Sequence, residues 1–187
     1  MTATGQVWLV RHAVTEWTGK RWCGRSDPPL TTAGAASAAD LASRLAMEVP
    51  GGAVILASPL RRALDTADAI AAVLGAPVRV DPDLIEVDFG VADGLTWNEL
   101  TGGHPGLAEA ILGGPDVDWP AGETAARVAV RARSAAERIG DLARNGAVVV
   151  VSHGGLLRAL ARAMGTAVPE GAFEPASVVR LDLVPTG

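Results

Sequence analysis

Short apolar runs alternate along the chain with longer segments that repeat their apolar residues at helical spacing. Residues 6–10, 53–57 and 147–151 are short and aliphatic, and they carry several β-branched residues. Such runs are typical of strands buried on both faces of a parallel sheet. Residues 178–183 form a further apolar run near the end of the chain, which predicts a last strand that closes the sheet.

Alanine-rich segments with helical periodicity separate these strands. The predicted helices cover residues 35–47, 60–74, 125–143 and 156–164. Strands that alternate with helices favour an open α/β sheet with helices on both faces and right-handed connections. The predicted fold class is therefore α/β, a three-layer α/β/α arrangement around a mostly parallel central sheet.

One segment, residues 87–122, differs from the rest because eleven of its residues are glycine or proline. That density of glycine and proline disfavours long regular elements. We expect an irregular cap over the carboxyl ends of the strands. The chain of 187 residues is expected to form one domain, 1–187, that contains this cap as an insertion.

Composition and charge exclude several classes of protein. The net charge of −5 disfavours nucleic acid as a partner, since duplex binding requires a broad basic face. No apolar run approaches the roughly 20 residues that span a bilayer, and the first residues do not resemble a signal peptide. Cys23 is the only cysteine, which excludes an internal disulfide and favours a reducing cytoplasm. An anionic substrate would need a local cluster of positive charge.

Polar residues follow three of the predicted strands directly. Arg11 and His12 come after the first strand, Ser58 after the second, and His153 after the third. Ligands of doubly wound sheets bind outside the carboxyl ends of the strands. An isolated histidine is most often structural, but two of the three histidines here stand at strand ends, which indicates a common site. The third, His104, lies in a turn-like sequence and is expected on the surface.

A phosphate site fits these residues better than a metal site. Ser58 and Pro59 predict a helix start, with Ser58 as N-cap, and the helix N-terminus beside Arg62 would suit a phosphate. At least one of Arg61 and Arg62 is expected to be solvated. Two histidines could also ligate a metal, but neighbouring arginines would repel a divalent ion, and no HExxH-like spacing occurs. We therefore expect no metal and no cofactor.

Several spaced motifs resemble the histidine phosphatase superfamily, which also contains the cofactor-dependent phosphoglycerate mutases. The motifs are LVRHAVTEW at 9–17, GRSDPPLTTAG at 24–34, SPLRRALDTA at 58–67 and VSHGG at 151–155. The resemblance covers almost the whole chain. It implies a phosphomonoesterase in which His12 is the nucleophile and Glu86 the proton donor, while Arg11, Arg62 and His153 hold the phosphoryl group. Further substrate contacts are implied for Gly154, Thr18, Cys23 and Gly24.

Two positions depart from the family's usual pattern. Ala13 stands where the family usually has glycine, and we expect activity to survive because alanine is small. Thr18 stands where the family commonly has an asparagine that reaches the substrate phosphate, and its effect on phosphate geometry is left open.

The chemistry implied is metal-independent hydrolysis of a small phosphorylated metabolite through phosphohistidine. Neutral His12 would attack phosphorus, with its other ring nitrogen donating to a carbonyl, and Glu86 would protonate the leaving group and then activate water. Mutases of the family resemble one another in greater length and in a tyrosine after the acid glutamate. This chain has no tyrosine, and Phe89 stands at the comparable place. Hydrolysis is therefore preferred, with mutase-type phosphotransfer and a noncatalytic phosphate-binding module as alternatives.

The remaining expectations concern substrate, location and assembly. The motifs resemble phosphatases of small metabolites such as α-ribazole phosphate and sugar phosphates, without naming one substrate. We expect a cytoplasmic enzyme with a small-molecule phosphate ester as its partner, and neither nucleic acid nor membrane. A homodimer is suggested only by the base rate among soluble enzymes.

Overall fold

A computed structural model describes residues 5–169 and 171–183, which form a five-stranded sheet flanked by helices. The strands are β1 Gly5–Arg11, β2 Val54–Ala57, β3 Val78–Val80, β4 Val148–Ser152 and β5 Val178–Leu183. Their order in the sheet is β3-β2-β4-β1-β5. β1, β2, β3 and β4 run parallel, and β5 pairs antiparallel with β1 at the edge. The predicted mostly parallel sheet is confirmed.

Six α-helices cover the sheet and its strand ends. They are α1 Thr32–Glu48, α2 Arg61–Leu74, α3 Trp97–Gly103, α4 Pro105–Gly113, α5 Ala125–Ala143 and α6 Gly154–Ala163. α1 begins three residues before the predicted position, because the side chain of Thr31 caps it by accepting a hydrogen bond from the Gly34 N–H. The predicted bounds of α5 are confirmed at both ends.

Alternate residues of the strands face two separate cores, as expected for a sheet covered on both faces. On one face, Val7 and Leu9 of β1 pack with Ile139 of α5 and Leu156 of α6. On the other face, Trp8 packs with residues of α1 and α2. This three-layer arrangement confirms the predicted fold class.

The glycine- and proline-rich segment 87–122 contains two short helices, α3 and α4, so it is less irregular than the sequence predicts. α3 begins with a capping box in which Thr96 and Glu99 bond each other's backbone N–H groups, and Pro105 opens α4. Leu100 and Leu107 anchor the segment in a small core of its own. Trp22, Phe89 and Trp119 pack against one another beside that core.

Within residues 5–169 and 171–183, no helix is long and apolar enough to cross a membrane.

Candidate active site

The carboxyl ends of three neighbouring strands bring the predicted residues together. β4 lies between β1 and β2, so the residues that follow these strands become neighbours. The His12 N–H donates to the Ser152 carbonyl at 2.9 Å, and the Ser58 N–H donates to the Val151 carbonyl at 3.0 Å. The rings of His12 and His153 lie with their centroids 5.1 Å apart. The structure therefore brings Arg11, His12, Ser58 and His153 together at this edge of the sheet.

His12 is buried and held in one tautomer. Its Nδ1 lies 2.7 Å from the carbonyl oxygen of Ala13. A carbonyl only accepts, so Nδ1 carries the proton and Nε2 keeps its lone pair. Burial, and after it the positive charge of Arg62, lowers the pKa of His12 to about 3. The imidazole is therefore neutral at physiological pH, which a nucleophilic histidine requires.

Arg62 is fully buried and donates to a loop as well as to His12. Its Nε–H donates to His12 Nε2 at 3.3 Å, while its terminal nitrogens donate to the carbonyls of Ser26 at 2.7 Å and Gly24 at 2.9 Å. A guanidinium with this many acceptors is fixed in position. Arg61 is exposed and pairs with Asp65, so the expectation that one of the two arginines is solvated is confirmed.

Arg11 approaches from the other side of His12. Its Nη1 donates to the Phe173 carbonyl at 2.7 Å, and its guanidinium packs against Gly154 at the start of α6. Burial lowers the pKa of the Arg11 guanidinium, whereas the charge of Glu86 acts in the opposite direction. Its buried Nε has no hydrogen-bond partner within the described chain.

His153 is completely buried, and burial followed by the charge of Arg62 lowers its pKa well below the ordinary value. Its Nε2 lies 2.7 Å from Ser58 Oγ. The Leu60 N–H donates to the same oxygen at 3.3 Å, so the hydroxyl proton of Ser58 is free to point at His153. Nδ1 of His153 then carries the ring proton, and it is unpaired among the residues described here.

The predicted helix cap at Ser58 is wrong. α2 begins at Arg61 with Leu60 as its N-cap, and Ser58 bonds His153 instead. The first helical N–H, that of Arg61, donates to the carboxylate of Asp27 at 2.8 Å. A carboxylate at this position complements the helix dipole. It also occupies the Arg61 N–H, so this N–H does not face a phosphate as the sequence predicts for the start of this helix.

Glu86 lies on the loop that follows β3 and contacts the start of α6. Its carboxylate accepts from three backbone N–H groups, those of Val87 at 2.8 Å, Leu156 at 3.0 Å and Gly155 at 3.2 Å. Two of these donors belong to the first turn of α6, whose dipole favours a negative charge there. A Cβ on Gly155 would lie 2.7 Å from Glu86 Oε1, so the carboxylate position depends on that glycine.

Three further predicted contacts lie nearby with different roles in the structure. Thr18 lines the cavity, but its hydroxyl accepts from the Thr15 N–H at 3.0 Å. Burial raises the pKa of Cys23 to about 11, so its thiol is neutral and weakly reactive. Gly24 contributes its carbonyl to Arg62, and a Cβ there would lie 2.8 Å from the Val87 carbonyl oxygen. Substrate binding by these residues stays a prediction.

Sequence reasoning missed a clamp behind Glu86. Arg131 of α5 donates to the carbonyls of Asp83 at 2.7 Å and Ile85 at 2.6 Å, and it makes a two-point ion pair with Glu123. Burial raises the pKa of Glu123, but hydrogen bonds from Arg131 and the Asp88 N–H outweigh it and leave the pKa below its ordinary value. The clamp therefore fixes the loop on which Glu86 stands.

The site opens into a cavity of about 1660 Å³. Arg11, His12, Glu86 and Gly154 lie at its inner end, and Trp97 and Leu112 of the 87–122 segment border it further out. His104, between α3 and α4, is exposed as expected. Within the described part of the chain, no three His, Cys, Asp or Glu side chains cluster as ligands of a metal ion.

Comparison with known proteins identifies the family that this fold and site define. The sequence profile of the histidine phosphatase superfamily (branch 1) matches residues 7–186. The chain belongs to this superfamily. The resemblance found in the motifs is thereby confirmed.

Individual relatives carry different names. Bifunctional protein Rv2228c of Mycobacterium tuberculosis is 38% identical over 146 residues, which are 78% of this chain; the chain spans only 40% of that relative's length. Probable phosphoglycerate mutase GpmB of Enterobacter sp. is 35% identical over 151 residues, which are 80% of this chain and 69% of the length of GpmB. The structure of mycobacterial glucosyl-3-phosphoglycerate phosphatase Rv2419c with VO3 superposes with a TM-score of 0.84, at 28% identity, over 95% of this chain and 91% of the other.

Proposed function

We propose that the protein is a metal-independent phosphomonoester hydrolase that acts on a small phosphorylated metabolite through a phosphohistidine at His12. One observation carries the proposal: neutral, buried His12 lines a cavity together with Arg11 and Glu86, while buried Arg62 and His153 contact His12. Neutral His12 supplies the nucleophile, and its environment supplies positive charge for a phosphoryl group.

In the first step, the lone pair of His12 Nε2 forms a bond to phosphorus while the bond from phosphorus to the ester oxygen breaks. The Arg62 Nε–H, which donates to Nε2 at 3.3 Å before the reaction, is then free to donate to a phosphoryl oxygen of the group on Nε2. The unpaired Nε–H of Arg11 and the Nδ1–H of His153 are further donors for the equatorial oxygens. These donors favour the charge distribution of the transition state.

Glu86 completes the proton balance. As an acid it gives a proton to the leaving alkoxide, which would otherwise depart poorly. In the second step the resulting carboxylate takes a proton from water, whose oxygen attacks the phosphohistidine. Inorganic phosphate leaves, and His12 and protonated Glu86 are restored.

Two observations support hydrolysis, one from a structural neighbour and one from the chain itself. The neighbour at a TM-score of 0.84 is a phosphatase by name and was solved with VO3. The chain contains no tyrosine, and Phe89 packs its ring against Trp119 beside the site. Mutase-type transfer remains the second candidate because the GpmB relative is named a probable phosphoglycerate mutase.

The test is phosphate release from a panel of small monoesters in the presence of chelator, by wild type, His12→Ala and Glu86→Gln. Chelator-resistant release that needs both residues supports the proposal. Movement of phosphate between the two positions of phosphoglycerate, without release, would favour the mutase. Tight binding of monoesters without any turnover would favour a noncatalytic module.

A further inference from the structure

The outer wall of the cavity carries an excess of positive charge that the phosphoryl chemistry does not use. Among the charged residues that line the cavity, only Glu86 and Asp116 are acidic. The cationic lining residues are Arg11, Lys20, Arg21, Arg133, Arg158 and Arg162. The whole protein carries a net charge of −5, so this local charge runs against the overall balance.

Two lining arginines outside the phosphoryl site have no acidic ion-pair partner within residues 5–169 and 171–183. Arg133 makes no ion pair there, and Arg158 donates only to the Gly154 carbonyl of its own helix, at 3.4 Å. Arg162, by contrast, pairs with Asp116 at 2.8 Å, and Arg21 pairs with Glu99 at 3.2 Å. Arg133 and Arg158 are therefore the unpaired arginines of this wall, on helices α5 and α6; Lys20, on the loop after β1, makes no ion pair within the described residues either.

Their positions on the helices place them beyond the phosphoryl site. Arg158 stands one turn after Gly154 on α6, roughly 6 Å along the helix axis at 1.5 Å per residue. The charge of Arg158 reaches Arg11, whose pKa it lowers. Arg133 belongs to the neighbouring helix α5, and Ala129 and Ala125, four and eight residues before it, line the same cavity. Both arginines therefore line the cavity that His12 also lines.

We propose that Arg133 and Arg158 form a second anion subsite, so that the preferred substrate is a phosphate monoester carrying a second anionic group, a carboxylate or another phosphate. This inference rests on the proposed phosphatase function. The planar guanidinium matches both kinds of anion by two-point hydrogen bonding. A second anion also relieves the repulsion between the two arginines and Arg11.

The test compares substrates that differ only in the second anion. The pairs are 3-phosphoglycerate with glycerol 3-phosphate, and hexane-1,6-diol bisphosphate with hexyl phosphate. The first pair probes a carboxylate and the second a phosphate. kcat/KM is measured for wild type, Arg133→Met, Arg158→Met, the double variant, and Arg44→Met, an exposed arginine of α1 on the other side of the sheet.

For at least one pair, wild type is expected to prefer the doubly anionic member by about tenfold or more, the scale of one charge-assisted contact. The double variant loses that preference and changes by less than about threefold on the singly anionic member, while Arg44→Met retains the preference. Equal losses on both members of each pair, or no preference in an active wild type, would overturn the subsite.

A binding measurement separates this proposal from the proposed function. Calorimetry with His12→Ala, with and without the Arg133→Met and Arg158→Met changes, reports affinity without turnover. If wild type hydrolyses no ester but the two arginines still raise affinity for 3-phosphoglycerate or the bisphosphate, the hydrolase proposal fails and the subsite stands. If they raise neither affinity, the subsite fails even in an active enzyme.

Discussion

Replacing Arg131 by methionine tests whether the clamp behind Glu86 supports both stability and catalysis. The substitution keeps an unbranched, apolar stem but removes the hydrogen bonds to the Asp83 and Ile85 carbonyls and the two-point pair with Glu123. Hydrogen bonds to charged groups contribute about 1.5–3 kcal/mol each, and breaking a buried ion pair costs about 3–5 kcal/mol. Arg131 and Glu123 are 13% and 10% exposed, and Glu123 keeps Arg25 and the Asp88 N–H as partners.

Because of these remaining partners, we expect the free energy of unfolding to fall by about 2–4 kcal/mol, below the sum of the separate contacts. Urea denaturation measures it. We also expect kcat to fall by about tenfold or more with a smaller change in KM, since a misplaced Glu86 affects proton transfer more than binding. Arg127→Met, one turn earlier on α5 and exposed, is the matched control and should stay within about 0.5 kcal/mol of wild type. An Arg131→Met protein as stable and as active as Arg127→Met would refute this account of the clamp.

Four further predictions follow from individual contacts. The stability difference between wild type and Arg131→Met should shrink in urea titrations as pH falls below about 4.5, because a carboxylate whose folded pKa is lowered stabilises only while it is ionised; a constant difference would contradict this. In an NMR pH titration of the substrate-free protein, the His12 ring should show no protonation near pH 6.5, since the pKa of His12 is about 3, and a His12 titration there would contradict this. Ser58→Ala should destabilise the protein by about 1–3 kcal/mol and lower kcat, because it leaves a buried His153 nitrogen unpaired, whereas Ser43→Ala on the surface of α1 should do neither. Gly155→Ala should lower kcat while thermal unfolding shows a folded protein, because the added methyl displaces the Glu86 carboxylate; an unchanged kcat would contradict that assignment.

Local patterns predicted those parts of the site that stand directly after strands. Arg11, His12 and His153 could be located because a polar residue at the end of a buried strand is conspicuous in the sequence. The role of Glu86 came only from the family resemblance, since its three backbone partners depend on packing the loop after β3 against α6.

Features of the site that depend on contacts between distant segments could not be predicted from local sequence. Serine before proline is typical of a helix N-cap, but the Ser58 side chain forms a hydrogen bond with His153, 95 residues away in the sequence. Nothing in the sequence near Arg131 reveals its contacts with Glu123 and the Asp83 carbonyl, because they depend on how α5 packs against distant loops. β3 has only three residues with Arg79 at its centre, which is too short and too polar for a strand pattern.

The most direct test of the central claim is rapid-quench mass spectrometry of the protein after mixing with a small phosphate monoester. The account predicts a phosphoryl group on His12 that forms within one turnover. With an aryl phosphate, whose leaving group departs easily, this group should persist longer in Glu86→Gln than in wild type. His104→Gln, which removes an exposed histidine outside the site, should leave this signal unchanged. Two results would contradict the account: phosphate release by an active enzyme that never carries phosphohistidine at His12, and phosphate release that persists in His12→Ala.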